Sequence, residues 1–232
     1  DADDVPMPGD FGFFRGHQER RRLDTIARLI PARGVKRVLD AGAAHGWLSD
    51  KLANRGFEVT ALDLGMDSIK RAAERLRPLR IPVRFAGGDV YRLPFRDGTF
   101  DAVAASEIVE HLDRPAEALA EFARVIRPGG FLVLSLPWRE RIEYTLCIHC
   151  NKKTPVNAHL HSFDEILVSG LLMDAGFAPD RIFGFMSRPA ERLGFSGLTG
   201  FLPHRLWRAA DRMFCAIGGR RCTMAVRAVR HE

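Results

Sequence analysis

The sequence predicts an α/β protein built around a mainly parallel sheet, and three observations lead to this class. Short apolar segments of strand length alternate along the 232 residues with amphipathic segments of helix length, a pattern typical of βαβ units. Hydrophobic residues make up 46% of the chain and charged residues 28%, which favours a folded globular protein over a disordered one. The longest strongly apolar run, residues 131–136, is much shorter than a membrane-spanning helix, so we expect no transmembrane segment.

The predicted elements follow one another in a regular order. Leu23, Ile26 and Ile30 repeat at helical spacing and predict a first helix over residues 18–30, which Pro31 ends. Apolar runs then predict seven strands, over residues 35–41, 58–63, 83–86, 100–106, 131–136, 181–186 and 223–229. Segments between the strands predict helices over residues 47–55, 68–76, 116–126 and 163–175, with a further helix near 203–217.

The charge balance is basic, with a formal net charge of +6. Only five of the 35 basic side chains are lysines, and the arginines are spread along the chain rather than gathered in a tail. This distribution favours an arginine-rich solvated surface. A nucleic-acid partner stays open as an alternative, because a basic protein attracts polyanions.

Cysteine usage favours a reducing, cytoplasmic setting. Four cysteines in a chain of this length are too few for a disulfide scaffold. Cys147 and Cys150 form a C-x-x-C motif, whereas Cys215 and Cys222 lie far downstream among apolar residues. No leader-like pattern follows Asp1, so export is not expected.

The strongest chemical signal is the small-residue loop after the first strand. Residues 38–46 read Val-Leu-Asp-Ala-Gly-Ala-Ala-His-Gly and run directly into a predicted helix. Gly42 and Gly46 can adopt turns that other residues avoid, and the loop amides with the helix N-terminus suit an anionic group. The next strand ends at Asp63, where a carboxylate can accept hydrogen bonds from ribose hydroxyls. We therefore expect a nucleoside-binding domain.

Over roughly residues 35–176 the chain resembles the class I S-adenosylmethionine-dependent methyltransferases. Asp40-x-Gly42-x-x-x-Gly46 resembles the family's first motif, and Asp63 resembles its ribose-binding acid. Gly88-Asp89-Val90 resembles the segment that meets adenine, and Arg127-Pro128-Gly129-Gly130 resembles the turn before the fifth strand. Ala44 stands where the family's loop usually has a middle glycine. An NAD-binding protein is the competing interpretation of the glycine loop, but the other motifs favour the methyl donor.

The resemblance implies a doubly wound, Rossmann-like fold with helices on both faces of a seven-stranded sheet. The implied strand order is 3-2-1-4-5-7-6 with an antiparallel last strand, and ligands are expected at the carboxyl ends of the strands. The residues that it implies for binding S-adenosylmethionine are Asp40, Gly42, Ala44, Gly46, Asp63, Leu64, Asp89, Val90 and Ser106.

An E-x-x-E-H segment follows the fourth strand, where an acceptor should meet the methyl group. Glu107, Glu110 and His111 would share one face of a helical turn. The segment resembles one in ubiquinone-pathway O-methyltransferases and small-RNA 2′-O-methyltransferases, which implies a cation, Mg²⁺ or another divalent ion, that activates the acceptor hydroxyl. His111 as a general base is the alternative mechanism. A further alternative is that these residues only shape the pocket or cap the helix.

A Cys/His insertion is predicted over residues 138–162, without strands of its own. Cys147, Cys150, His159 and His161 offer four ligands, the number that tetrahedral zinc needs. The insertion resembles one in some small-molecule and saccharide-pathway methyltransferases, in which C-x-x-C precedes a His and then Ser-Phe. Either histidine could instead complete the Glu107/Glu110/His111 set, so the two interpretations compete for the same side chains.

We expect one domain over residues 1–232, with acceptor choice set by the insertion at 187–219 and by the stretch 11–15. An apolar stripe in the last predicted helix, Leu206, Ala210, Met213 and Phe214, is expected to pack on the sheet, with lipid contact or dimerisation as alternatives.

The expected function is O-methylation of a small molecule or a glycan precursor in the cytoplasm. Two alternatives remain: an RNA 2′-O-methyltransferase, and a non-catalytic cofactor-binding or zinc-dependent interaction protein.

Overall fold

The computed structural model describes residues 13–218 and 220–231. The predicted acidic start at 1–10 lies outside the described residues, as do the side chains of the 11–15 stretch to which acceptor choice is assigned. Within the described part, no helix is both long enough and apolar enough to span a bilayer.

Within residues 13–218 and 220–231, nine strands form a seven-stranded sheet and a separate hairpin. In chain order they are β1 (Arg37–Ala41), β2 (Glu58–Asp63), β3 (Val83–Gly87), β4 (Phe100–Ser106), β5 (Ile126–Pro137), β6 (Tyr144–Leu146), β7 (Lys153–Pro155), β8 (Phe177–Ser187) and β9 (Arg221–Arg230). The large sheet has the order β3-β2-β1-β4-β5-β9-β8, and β9 runs antiparallel to both of its neighbours. The predicted seven-stranded, Rossmann-like arrangement is confirmed.

The described part of the chain has eight α-helices around the large sheet: α1 (Phe13–Leu29), α2 (Trp47–Ala53), α3 (Met66–Leu76), α4 (Pro115–Val125), α5 (Glu165–Asp174), α6 (Arg188–Arg192), α7 (Phe195–Leu198) and α8 (His204–Gly218). The sheet is covered on both faces, as predicted. Phe122 of α4 and Leu172 of α5 belong to one apolar cluster, whereas Ile26 of α1 and Trp207 of α8 belong to another.

The central strands explain why ligand-binding loops gather at one edge. In β4 every residue from Phe100 to Ala105 is buried, and only Ser106 at its carboxyl end is partly exposed. A parallel strand buried on both faces is mostly apolar, and the one charged residue of β4, Asp101, is already engaged by the backbone N–H groups of Lys36 and Arg37 and by Arg127. Polar chemistry is therefore placed at the carboxyl ends of the strands and in the loops that follow them.

Two predictions about the insertions are wrong. The 138–162 segment is not strandless, because β6 and β7 pair as an antiparallel hairpin of three residue pairs. The expected apolar stripe of α8 is not the packed face, since Leu206 and Met213 are more than half exposed. The helix instead buries Trp207, Asp211 and Cys215, which follow one another at spacings of four. Asp211 can be buried because its Oδ1 accepts hydrogen bonds from the backbone N–H groups of Met186 and Ser187 at the end of β8.

Candidate active site

The loop between β1 and α2 adopts the tight turns that its small residues predict. Gly42, Ala44 and Gly46 all have positive φ angles, of 72°, 44° and 73°. A Cβ atom added at Gly42 would lie 1.7 Å from Cδ1 of Ile108, in the segment after β4. The glycine therefore lets the loop after β1 pack directly against the segment that carries Glu107 and Glu110.

Asp63, at the end of β2, organises this loop. Its Oδ2 accepts the backbone N–H of Ala44 and its Oδ1 accepts that of Gly65, both at 2.8 Å. Each carboxylate oxygen keeps a further lone pair, so the side chain can also accept hydroxyl hydrogen bonds. Leu64 beside it is 75% exposed.

The other residues predicted to bind the donor occupy neighbouring strand ends. Asp40 is buried at the end of β1, where Ser49 Oγ donates to it at 2.6 Å and burial raises the pKa of its carboxyl to about 7. After β3, Asp89 accepts the backbone N–H of Tyr91 at 2.9 Å, and Val90 packs against the apolar core. The strand ends thus bring all nine predicted donor residues to one edge of the sheet.

Glu107 is held in a strained conformation immediately after β4. Its φ of 53° lies in the left-handed region, which a non-glycine residue adopts only at an energetic cost. Its Oε1 lies 3.7 Å from Nη1 of Arg22, which also donates to Ser106 Oγ at 2.6 Å. Burial raises the pKa of the Glu107 carboxyl, and the Arg22 guanidinium opposes that rise. Arg22 comes from α1, far from this segment in sequence, and no motif marks it as a site residue.

Glu110 is fully buried in a single 3₁₀ turn, Val109–His111. Among the described residues, neither of its carboxylate oxygens has a hydrogen-bond partner. Burial, and then the nearby Glu107 carboxylate, raises the pKa of Glu110 to about 9. Burying a carboxyl group with two unsatisfied oxygens lowers the stability of the folded protein. Such a group is therefore a candidate for binding a ligand or taking part in catalysis.

Two imidazole rings complete a cluster around this carboxylate. One ligand atom from each of Glu110, His111 and His159 lies within 4.8 Å of the others, and we call these three residues the ligand cluster. His111 Nδ1 is 3.1 Å from the carbonyl oxygen of Ala158, and His159 Nδ1 hydrogen-bonds to the Glu140 carboxylate. Because both partners are acceptors, each Nδ1 carries the proton and each Nε2 keeps a lone pair. Burial lowers the pKa of His111, which keeps its ring neutral.

The four predicted zinc ligands are not brought together within the described residues. Cys147 and Cys150 lie in the turn of the hairpin, where the Asn151 N–H donates to the Cys147 carbonyl at 2.8 Å. His161 instead donates from Nε2 to the Leu112 carbonyl oxygen at 2.8 Å, and His159 faces His111. The cysteines lie at the far end of the hairpin from its base. The three residue pairs between them span about 10 Å. The geometry favours the alternative in which His159 joins Glu110 and His111.

Glu140 is a second site residue that no sequence motif marks. It comes directly after Arg139 at the start of the insertion and contacts His159 across 19 positions of the chain. A carboxylate that holds the far nitrogen of an imidazole is a common neighbour of metal-binding histidines. A Glu and a His separated by 19 positions do not form a recognisable sequence motif, so the pair becomes visible only in the folded structure.

Known proteins resemble this chain in both sequence and fold. The profile of a family described as "Methyltransferase domain" matches residues 39–134. A demethylmenaquinone methyltransferase from Renibacterium salmoninarum is 38% identical over 118 residues, 51% of this chain and 48% of the relative. A ubiquinone biosynthesis O-methyltransferase from Alkalilimnicola ehrlichii is 32% identical over 128 residues, 55% of this chain and 52% of the relative. The chain spans about half the length of these curated relatives.

A third relative extends the likeness further along the chain. It is a probable S-adenosylmethionine-dependent methyltransferase from Mycobacterium tuberculosis, 32% identical over 174 residues, 75% of this chain and 60% of the relative. Among solved structures, the [4+2]-cyclase SpnF superposes with a TM-score of 0.67 at 20% identity, over 92% of this chain and 82% of SpnF. At that identity the likeness shows the fold alone. The motifs, the strand order and the matched profile together support membership of the class I S-adenosylmethionine-dependent methyltransferase family, whose methyltransferase domain corresponds to residues 39–134.

Proposed function

We propose that this protein transfers the methyl group of S-adenosylmethionine to an oxygen atom of a small molecule or glycan precursor, and that the ligand cluster holds a divalent cation which activates the acceptor. The observation that carries the proposal is the fully buried Glu110 carboxylate, which has no hydrogen-bond partner among the described residues and shares its surroundings with two imidazoles. A methyltransferase can use such a set beside the donor to activate an acceptor hydroxyl.

The residues present fit a cation. A cation held there would compensate the buried Glu110 carboxylate, whose oxygens have no hydrogen-bond partner among the described residues, and would lower its raised pKa, since a nearby positive charge favours the carboxylate. His111 and His159 each offer an Nε2 lone pair, because a carbonyl and a carboxylate fix their Nδ1 protons. One carboxylate with two imidazoles suits Zn²⁺, Mn²⁺ or Fe²⁺ better than Mg²⁺, which prefers oxygen ligands. Glu107 is a further candidate ligand, since its Oε1 is buried and also has no hydrogen-bond partner among the described residues.

The position of the ligand cluster supports a role in methyl transfer. Ile108, between Glu107 and the 3₁₀ turn, packs against Gly42 of the loop expected to hold the donor. Holding donor and acceptor in line can lower the barrier by about 7 kcal/mol or more. A bound cation would further lower the pKa of the acceptor hydroxyl, which is otherwise a poor nucleophile.

General-base catalysis by His111 is the competing mechanism at the same site. Its Nε2 is free to accept a proton, and its lowered pKa keeps the ring neutral. The two mechanisms respond differently to chelation. If the base acts alone, turnover survives removal of metal, whereas the proposed mechanism requires that added Mn²⁺ or Zn²⁺ restore turnover.

The experiment measures metal content and transfer of labelled methyl from S-adenosylmethionine to a panel of phenols, catechols and sugars. We expect about one divalent ion per chain and chelator-sensitive transfer to a hydroxyl. Glu110→Gln should lose both, whereas Glu74→Gln, an exposed glutamate of α3, should keep both. Unchanged transfer in Glu110→Gln or in chelated protein that remains folded would remove the metal mechanism. Donor binding without transfer to any oxygen acceptor would remove the O-methylation proposal.

A further inference from the structure

A large cavity lies beside the ligand cluster. It has a volume of about 1160 Å³ and lies between the start of the 138–162 insertion on one side and α6 with the start of β9 on the other. His159 lines it, so the cavity and the ligand cluster share a wall. Six arginines line it as well, and we call it the arginine pocket: Arg139, Arg141, Arg188, Arg192, Arg220 and Arg221.

Positive charge in the arginine pocket exceeds negative charge. Three glutamates lie in its walls, but Glu165 pairs with Arg139 at 3.2 Å and Glu140 hydrogen-bonds to His159. Within the described part of the chain, none of the other five arginines forms an ion pair with a carboxylate. The pocket therefore has several guanidinium groups available for an anion.

The fold brings these arginines together although they come from distant parts of the chain. The Arg188 N–H donates to the Arg220 carbonyl at 2.9 Å, and Arg221 pairs with Ser187 in the sheet. The Arg221 guanidinium lies 4.7 Å from the centre of the Trp138 ring, which fixes it at the pocket wall. Arg192 follows Arg188 by one helical turn, a spacing at which like charges repel. A bound anion would offset that repulsion.

We propose that the arginine pocket binds a phosphate or diphosphate group of the acceptor. This inference rests on the proposed function, because it names the class of molecule that is methylated. A guanidinium group can donate two parallel hydrogen bonds to phosphate oxygens. Several guanidinium groups together suit a ligand that carries more than one negative charge. The volume is larger than a phosphate requires, which leaves room for a sugar or another hydroxyl-bearing body. An acceptor anchored there would reach the ligand cluster along the wall that contains His159.

The test titrates the full chain with inorganic pyrophosphate by calorimetry, in buffer without divalent cations so that the ligand cluster does not contribute. Arg192→Glu/Arg220→Glu removes two exposed pocket arginines. Arg33→Glu/Arg96→Glu makes the same change of net charge at exposed positions elsewhere. We expect the pocket variant to bind pyrophosphate at least about tenfold more weakly than the wild type, and the control to stay within about twofold. Arg192→Gln/Arg220→Gln repeats the test with a smaller change in case the glutamates impair folding.

Equal pyrophosphate binding by the pocket and control variants, or no binding by the wild type, would overturn the proposal. The same samples are titrated with S-adenosylhomocysteine, which should bind all of them equally. Pocket-dependent pyrophosphate binding without S-adenosylhomocysteine binding would contradict the proposed function and leave the arginine pocket standing. The reverse result would contradict the arginine pocket alone.

A second arm distinguishes a soluble phosphate from a lipid headgroup. Sedimentation is measured with phosphatidylcholine vesicles with and without phosphatidic acid. Retention that requires both phosphatidic acid and the pocket arginines identifies a lipid-borne phosphate. Pyrophosphate binding without vesicle retention identifies a soluble acceptor.

Discussion

The backbone N–H of Leu160 donates a 2.8 Å hydrogen bond to the carbonyl oxygen of Glu110. This bond joins the end of the insertion to the turn after β4, across 50 positions of the chain. Because His159 immediately precedes Leu160, the bond also places its imidazole against His111, with ring centres 4.8 Å apart. The insertion is therefore a structural part of the candidate active site and not a separate module.

Asp63 should control affinity for the donor. Asp63→Asn removes the charge and places an amide N–H₂ against one of the two backbone N–H donors, of Ala44 and Gly65. We expect S-adenosylhomocysteine to bind about 10- to 100-fold more weakly, the size of effect typical of hydrogen bonds to a charged group. Calorimetry measures this, with Asp174→Asn at the exposed end of α5 as the control. Parent-like affinity in Asp63→Asn would show that the ribose assignment is wrong.

Gly42 should tolerate no side chain. Gly42→Ala adds a Cβ in a left-handed conformation and against Ile108, so we expect the free energy of unfolding to fall by about 1–3 kcal/mol. Gly170→Ala is the matched control, because an added Cβ there meets nothing within 4 Å in α5 and should stabilise the protein by about 0.5–1 kcal/mol. Urea unfolding measures both. Equal effects of the two substitutions would argue against the close packing of the loop on Ile108.

Arg22 should be a structural requirement of the site. Arg22→Met leaves the carboxylates of Glu107, at 3.7 Å, and of Glu19, at 2.5 Å, without their shared cation, and breaking largely buried ion pairs of this kind costs about 3–5 kcal/mol. Arg20→Met, at an exposed position two residues earlier in the same helix, should change the free energy of unfolding very little. The double variant Arg22→Met/Glu107→Gln should recover part of the loss, because it removes the unpaired charge. No recovery would mean that Arg22 stabilises the protein by contacts other than Glu107.

Acid should destabilise the protein partly through His204. Burial, and then the charge of Arg28, lowers the pKa of His204 to about 4, below the value near 6.5 expected when unfolded. The unfolded state therefore binds the proton more readily between those values, so stability present above pH 6.5 is lost as the pH falls towards 4. Partial exposure reduces the expected loss to about 1–2 kcal/mol.

Thermal unfolding of His204→Gln between pH 7.5 and 5 tests this prediction. The variant should show a smaller fall in Tm than the wild type, while His149→Gln on the exposed hairpin should follow the wild type. A wild-type pH dependence in His204→Gln would exclude His204 as the source.

Much of the fold could be predicted because its elements have local signals. Apolar runs locate β2 and β4 with the bounds that the structure has, and the loop residues Gly42 and Gly46 adopt the predicted positive φ angles. The start of β5 is less predictable. It begins at Ile126, five residues before the apolar run, because a bulge after its pairing with Phe100 lets the Pro-Gly-Gly turn join the strand.

The ligand cluster was only partly predictable, since its partners are distant in sequence. Glu110 and His111 are neighbours and could be recognised as a pair. Whether His159 joins them or the C-x-x-C cysteines depends on where the hairpin ends, and three-residue strands such as β6 and β7 are too short to show alternation. Zinc binding by Cys147 and Cys150 stays a prediction that the geometry does not favour, and cytoplasmic localisation also stays a prediction.

The central claim, that the ligand cluster holds a cation beside the donor's methyl group, is tested most directly by nuclear magnetic resonance. The ¹³C-methyl signal of labelled S-adenosylmethionine bound to the protein is recorded with Mn²⁺, whose unpaired electrons broaden nearby nuclei, and with diamagnetic Zn²⁺. We predict strong broadening by Mn²⁺ in the wild type, no broadening by Zn²⁺, and loss of the Mn²⁺ effect in Glu110→Gln and His159→Ala while the donor remains bound. A sharp methyl signal with donor and stoichiometric Mn²⁺ both bound, or equal broadening in Glu110→Gln, would contradict the claim.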